Sequence, residues 1–135
     1  MRRMTPHLAA ALLLVALSSQ APAEEALPDV CNAGGGHMSG SPAMADMHGL
    51  TEMQKAYMQG MDRMHPAMMA GVMADDPDVA FVCGMIPHHQ GAIDMAKVQL
   101  QYGKDPWVRE MAQKIIDAQA GEIAEMRKWL GEHAK

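Results

Sequence analysis

From Thr51 onward, apolar residues return every three or four positions. No segment there alternates with the period of two that a half-buried strand requires. Three helices are predicted. The first runs from an N-cap at about Thr51 to about Val72. Leu50, Met53, Tyr57, Met58, Met61, Met64, His65, Met68 and Val72 fall on one face, with Glu52, Lys55, Gln59, Asp62 and Arg63 on the other. Pro66 lies inside this pattern and is expected to kink or restart it. Ala74-Asp75-Asp76-Pro77 reads as a turn. Asp78 is the expected cap of a second helix that reaches about Tyr102. Pro87 predicts a kink within it, and Gly103 its end. Asp105-Pro106 reads as a cap followed by proline at the first helical position. It opens a third helix to about Gly131, whose apolar arc includes Val108, Met111, Ala112, Ile115, Ile123, Met126 and Leu130.

Short loops between long helices make sequential helices antiparallel neighbours. The expected fold is all-α, an antiparallel bundle of three to four helices. So small a core is short of buried surface, and a homodimer is one way to complete it.

The pattern differs ahead of Thr51. Arg2 and Arg3 precede ten apolar residues, Leu8 to Leu17, and Ala21-Pro22-Ala23 has the small-x-small form of a cleavage site. Residues 1–23 therefore read as a signal peptide cleaved after Ala23, which implies a periplasmic or secreted protein. Ten residues are too few to span a bilayer, and no later run approaches the roughly 20 needed. Residues 24–49 are rich in Gly, Ser, Pro and Ala without apolar period, so they read as a flexible arm. The arm carries His37, Met38, Met44, Met47 and His48. Residues 50–135 form the expected helical domain.

Composition narrows the function. Sixteen acids against nine bases after residue 23 leave a charge of −7, a poor match to nucleic acid or an anionic membrane. Aromatics at 4% give little for bases to stack on. Methionine is the outlier: 14 of the 16 lie after residue 23, beside only four Leu. A core selected for rigidity would use Leu, because Met specifies packing poorly. Cys31 and Cys83 are an even pair in an oxidising compartment, and read either as a disulfide or as two free thiols able to bind metal.

The second helix places Met85, His88, His89 and Met95 within an arc of about 120°. That arc, shared with Phe81 and Ala92, is read as facing the core. The first helix offers Met61, Met64, His65 and Met68. Facing each other, the two rows would enclose a pocket of imidazole nitrogen and thioether sulfur. Soft thioether selects Cu(I), and imidazole also suits copper. Zinc prefers thiolate, imidazole and carboxylate, and calcium and magnesium want oxygen. A di-iron bundle needs Glu-x-x-His, which occurs nowhere in this chain. Gln119 and Glu122 of the third helix are candidates to orient a ligand. Core filling by Met and incidental Met in the arm are the bland readings of the same residues.

Met64-His65, Met68, Met85-Ile86-Pro87-His88-His89-Gln90-Gly91-Ala92-Ile93-Asp94-Met95-Ala96, Tyr102-Gly103-Lys104-Asp105-Pro106 and Ile123, Met126, Trp129-Leu130 resemble a bacterial family known as domain of unknown function 305. The resemblance covers about residues 50–131 and leaves the arm outside. It implies a ferritin-like helical fold and an association with periplasmic copper binding and copper resistance. It points to His65, Met68, Met85, His88, His89 and Met95 as ligands. The expected function is a copper-binding protein, a chaperone or buffer in copper tolerance, with Cu(I) preferred and Ag(I) or Cu(II) also accepted. A copper-delivery protein is the expected partner, and no catalytic residues are expected. The alternatives are a copper-dependent oxidase and a metal-free module that binds a partner or scavenges oxidant through Met.

Overall fold

The computed structural model describes residues 26–32 and 49–133. The expected signal peptide, its expected cleavage point and the candidate donors of the arm lie outside the described residues. A 3₁₀ turn at Asp29–Asn32 precedes three helices: α1 (Glu52–Gly71), α2 (Pro77–Tyr102) and α3 (Pro106–His133). The fold is all-α and antiparallel, as the pattern predicts.

The helix ends follow from local chemistry. Thr51 caps α1 in a reciprocal pair with Gln54: the Thr51 hydroxyl accepts from the Gln54 amide, and the Gln54 side chain accepts from the Thr51 amide. The cap of α2 is Asp76 and not the expected Asp78. Its carboxylate accepts from the amides of Asp78 and Val79 at 2.9 and 3.0 Å. Pro77 then occupies the first helical position, where its missing N–H costs nothing. Asp105 caps α3 through the Val108 amide at 2.9 Å. Gly103 ends α2 in an extended conformation (φ −73°, ψ 144°), not in the left-handed turn usual for such a glycine. The absence of a side chain matters there because a Cβ would collide with the Gln99 side chain. Neither internal proline ends its helix; α1 continues through Pro66 and α2 through Pro87.

α2 is the middle of the molecule. α1 and α3 each pack along it, and among the described residues their backbones do not come close to one another. Accordingly α2 supplies most of the buried apolar side chains: Val79, Cys83, Ile86, Ile93, Ala96 and Val98. Leu130 of α3 and Cys31 complete the cluster, flanked by Ile123, Met126 and Trp129. Cys31 and Cys83 are joined in a disulfide, which settles the open question of the two thiols and pins the 3₁₀ turn to α2. No methionine is among the fully buried apolar residues described, whereas Met53, Met61, Met73, Met95 and Met111 are exposed. Core filling accounts for Met126, which packs on the cluster, but not for these five exposed sulfurs.

Glycine lets α1 and α2 approach closely. Gly60 faces Asp94, Met64 faces Gly91, and Gly71 faces Cys83 and Gly84. An ion pair, Arg63 to Asp94 at 3.0 Å, spans the same interface. A Cβ at Gly71 would lie 2.5 Å from the carbonyl carbon and oxygen of Cys83 and 2.8 Å from the Gly84 nitrogen. Backbone cannot swing aside as a side chain can. Gly71→Ala is expected to destabilise by about 3 kcal/mol, at the top of the usual overpacking range. Gly60→Ala is the control: its Cβ would sit 3.5 Å from the Asp94 Cβ, an ordinary contact, and alanine raises helix propensity. Urea unfolding of both variants checks this; equal stabilities would mean that α1 does not dock as closely as described.

Candidate metal centre

Because α1 and α3 lie on either side of α2, one face of α2 is left between them. Its spacing is that of a heptad seam: Phe81, Met85, His88, Ala92, Met95 and Gln99 recur at alternating steps of four and three, within an arc of about 80°. This is the arc read from sequence as core-facing. The structure corrects that reading. Phe81 is 65% exposed and Met95 50%, and His88 is also exposed. The buried arcs of α2 are the two that carry Gly84, Pro87 and Gly91 toward α1, and Val79, Ile86 and Ile93 toward α3.

The two adjacent histidines have different situations. Their rings are 5.9 Å apart, edge to face at 64°. His89 is half-buried and both of its nitrogens are engaged. Nδ1 lies 2.8 Å from the Met85 carbonyl, and Nε2 lies 2.7 Å from a carboxylate oxygen of Glu122 on α3. Gln119 donates to the same Glu122 oxygen at 3.3 Å. The two α3 residues singled out as ligand-orienting candidates thus reach His89 in one hydrogen-bonded chain. His88 makes no hydrogen bond among the described residues, so its imidazole is open to a ligand.

On α1, Met61, His65 and Met68 lie within about 80° of Tyr57 around the helix. Tyr57 lines the open face, because with Ala92, Met95, Gln99, Met111 and Ile115 it walls an apolar cleft of about 310 Å³. The glycine register places His65 and Met68 of α1 beside the segment of α2 from about Pro87 to Gln90. Two Met–His pairs at helical i, i+3 spacing, His65 with Met68 on α1 and Met85 with His88 on α2, thus lie at about the same level of the bundle, with His65 turned about 100–140° around α1 from the residues that meet α2. Side chains three apart on a helix are surface neighbours and can share one ion. Met61 and Met95 sit further along the same face. Met64 is placed apart from them: its thioether packs on Gly91 in the α1–α2 interface, beside Pro87, Gln90 and Asp94. Among the described residues, His, Cys, Asp and Glu nowhere gather in threes. An ion held here would have to take thioether sulfur as well as imidazole.

The fold and this face define a small antiparallel helical domain whose exposed side is rich in thioether and imidazole. Residues 19–130 match the model of the family described as Domain of unknown function (DUF305), and the chain belongs to that family. The match extends over the arm, which the resemblance had left outside, and so takes in Cys31, the residue that pins the N-terminal turn to α2. Uncharacterized protein L153 of Acanthamoeba polyphaga mimivirus is 44% identical over 55 residues, which are 41% of this chain and 36% of that protein. The chain thus spans about a third of the length of this curated relative.

Proposed function

We propose that the chain is an exported copper-binding protein that holds Cu(I) on the open face of α2, in a sequestering or delivery role. The reading is supported by the level shared by the i, i+3 pairs His65–Met68 and Met85–His88 and by the exposure of His65 and His88. Two imidazoles and two thioethers form a neutral, soft donor set that suits Cu(I) or Ag(I) and is poorly matched to zinc, calcium or magnesium. Glu122, a carboxylate at the edge of this face, is already held by His89. His37, Met38, Met44, Met47 and His48 would add weaker capacity, since ordering a chain around an ion costs about 1–2 kcal/mol per residue fixed. A delivery protein would exchange the ion with the single chain, in which His88 is exposed.

The test is competition between the metal-free protein and a chromogenic Cu(I) chelator, in ascorbate. The expected result is at least one Cu(I) per chain withheld from the chelator, displaced by Ag(I) and unaffected by Zn(II). Complete stripping at stoichiometric chelator would overturn the proposal. A second reading, an oxidant sink, is favoured by the exposure of Met53, Met61, Met73, Met95 and Met111. It makes the histidines dispensable, so a variant lacking His65 and His88 that keeps its full function would select it.

A further inference from the structure

The heptad seam of α2 has a periodic partner-binding pattern and, among the described residues, no helix packed along it. We propose that a second copy of this chain covers it, with the two α2 helices antiparallel about a two-fold axis at the level of Gln90.

Three observations point to a second copy. The first is charge. The chain is strongly acidic, yet Phe81, Met85, His88, Ala92, Met95 and Gln99 include no charged residue. Two acidic molecules repel least where carboxylates are few, and Glu122 at the edge of this face is held by His89. The second is the symmetry of the seam. About Gln90 the positions pair as Phe81 with Gln99, Met85 with Met95 and His88 with Ala92, so neither Phe81 nor His88 meets its own copy and the methionines meet each other. An isologous interface requires such self-complementarity.

The third observation is shape. The pairing sets Phe81 of one copy, 65% exposed, at the level of Gln99 of the other, and Gln99 borders the apolar cleft of about 310 Å³. A largely exposed side chain of the seam thus meets an apolar cleft on it, twice per dimer. The seam is about 27 Å long from Phe81 to Gln99. With flanking helices about 8–10 Å away on each side, the face amounts to roughly 430–540 Å² per copy, at the small end of specific interfaces. The pairing itself is independent of copper. If the copper reading holds, it also sets Met95 of one copy against Met85 and His88 of the other, so that each dimer completes two donor sets.

Sedimentation equilibrium of the full chain, kept metal-free with chelator, tests the pairing separately from copper binding. The expected mass is that of two chains at micromolar concentration. Phe81→Lys alone, or Gln99→Glu alone, should weaken association by about tenfold or more by placing an unpaired charge in a desolvated seam. The two substitutions combined in one chain should restore the dimer, because the antiparallel register brings Lys against Glu. Circular dichroism checks that the exposed position tolerates lysine. Should Phe81→Lys lose helicity, Met95→Lys with Met85→Glu carries the same test. A monomer at all concentrations would overturn the proposal and leave the face to a segment of this chain or to another protein. A dimer indifferent to Phe81→Lys would overturn the seam. A double variant that stays monomeric would overturn the antiparallel register.

Discussion

His88→Ala is expected to weaken the tightest Cu(I) binding by about 100-fold or more, and His89→Ala by about tenfold, a split that neighbouring positions on one helix would not suggest. The loss of an orienting group costs about 10–100-fold, and the loss of a ligand at least as much. His88 is exposed and forms no hydrogen bond among the described residues, so nothing competes with an ion for its nitrogens. His89 spends one nitrogen on the Met85 carbonyl and the other on Glu122. It bridges α2 to α3 and holds the backbone of Met85, itself a candidate ligand. His89→Ala should therefore act mainly on stability, by about 1–2 kcal/mol for two lost hydrogen bonds. His88→Ala should leave the melting temperature of the metal-free protein almost unchanged. Chelator competition and thermal unfolding on the two variants measure both effects. A larger affinity loss in His89→Ala would show that copper displaces Glu122 from Nε2, and the assignment of the two histidines would be reversed.

Replacing both Cys31 and Cys83 by alanine is expected to cost about 4 kcal/mol. The bridge joins residues 52 apart, and loop-closure entropy alone gives about 4 kcal/mol for a loop of that length. Both cysteines are fully buried at the centre of the main apolar cluster, against Val79, Ile86 and Leu130. The segment that carries Cys31 has few other ties: Leu27 and Val30 pack on the cluster, and Arg127 donates to the Ala26 carbonyl at 3.1 Å. In a domain of this size the loss corresponds to a fall in melting temperature of roughly 15–30 °C. The three helices should still form below that transition, because their caps and the α1–α2 and α2–α3 interfaces do not involve Cys31. Cys83 lies about 160° around α2 from the middle of the open seam. Chelator competition on the double variant at low temperature should accordingly give unchanged copper affinity. An unaltered melting temperature would mean that the turn docks without its staple.

Capping residues and apolar period made the three helices legible along the chain. Thr51 with Gln54, and Asp105 with Pro106, are local signals whose partners lie within four residues, so no tertiary information is needed to read them. Asp76 was also legible, since proline at the next position marks the first turn; Asp78, the residue expected to cap, instead donates its amide to Asp76. The clustering of Met85, His88 and Met95 on one face of α2 follows from 3.6 residues per turn alone.

What period could not decide was which face of α2 is covered. This helix has one polar stripe, Gln90, Asp94, Lys97 and Gln101 within about 60°, and is apolar around the rest, so its sequence offers three apolar arcs for two neighbouring helices. The choice rests on close approach: Gly84 and Gly91 admit α1, and Val79, Ile86 and Ile93 meet α3. The arc bearing His88 is the one left over. The different roles of His88 and His89 have the same origin, because Glu122 is 33 positions away and only the antiparallel docking of α3 brings it to 2.7 Å. The disulfide needed the Cα atoms of Cys31 and Cys83 within 5.4 Å, a separation that no local pattern encodes. Local chemistry set the helices and the donors they carry; packing between helices decided which donors are buried, which are engaged and which remain open to an ion.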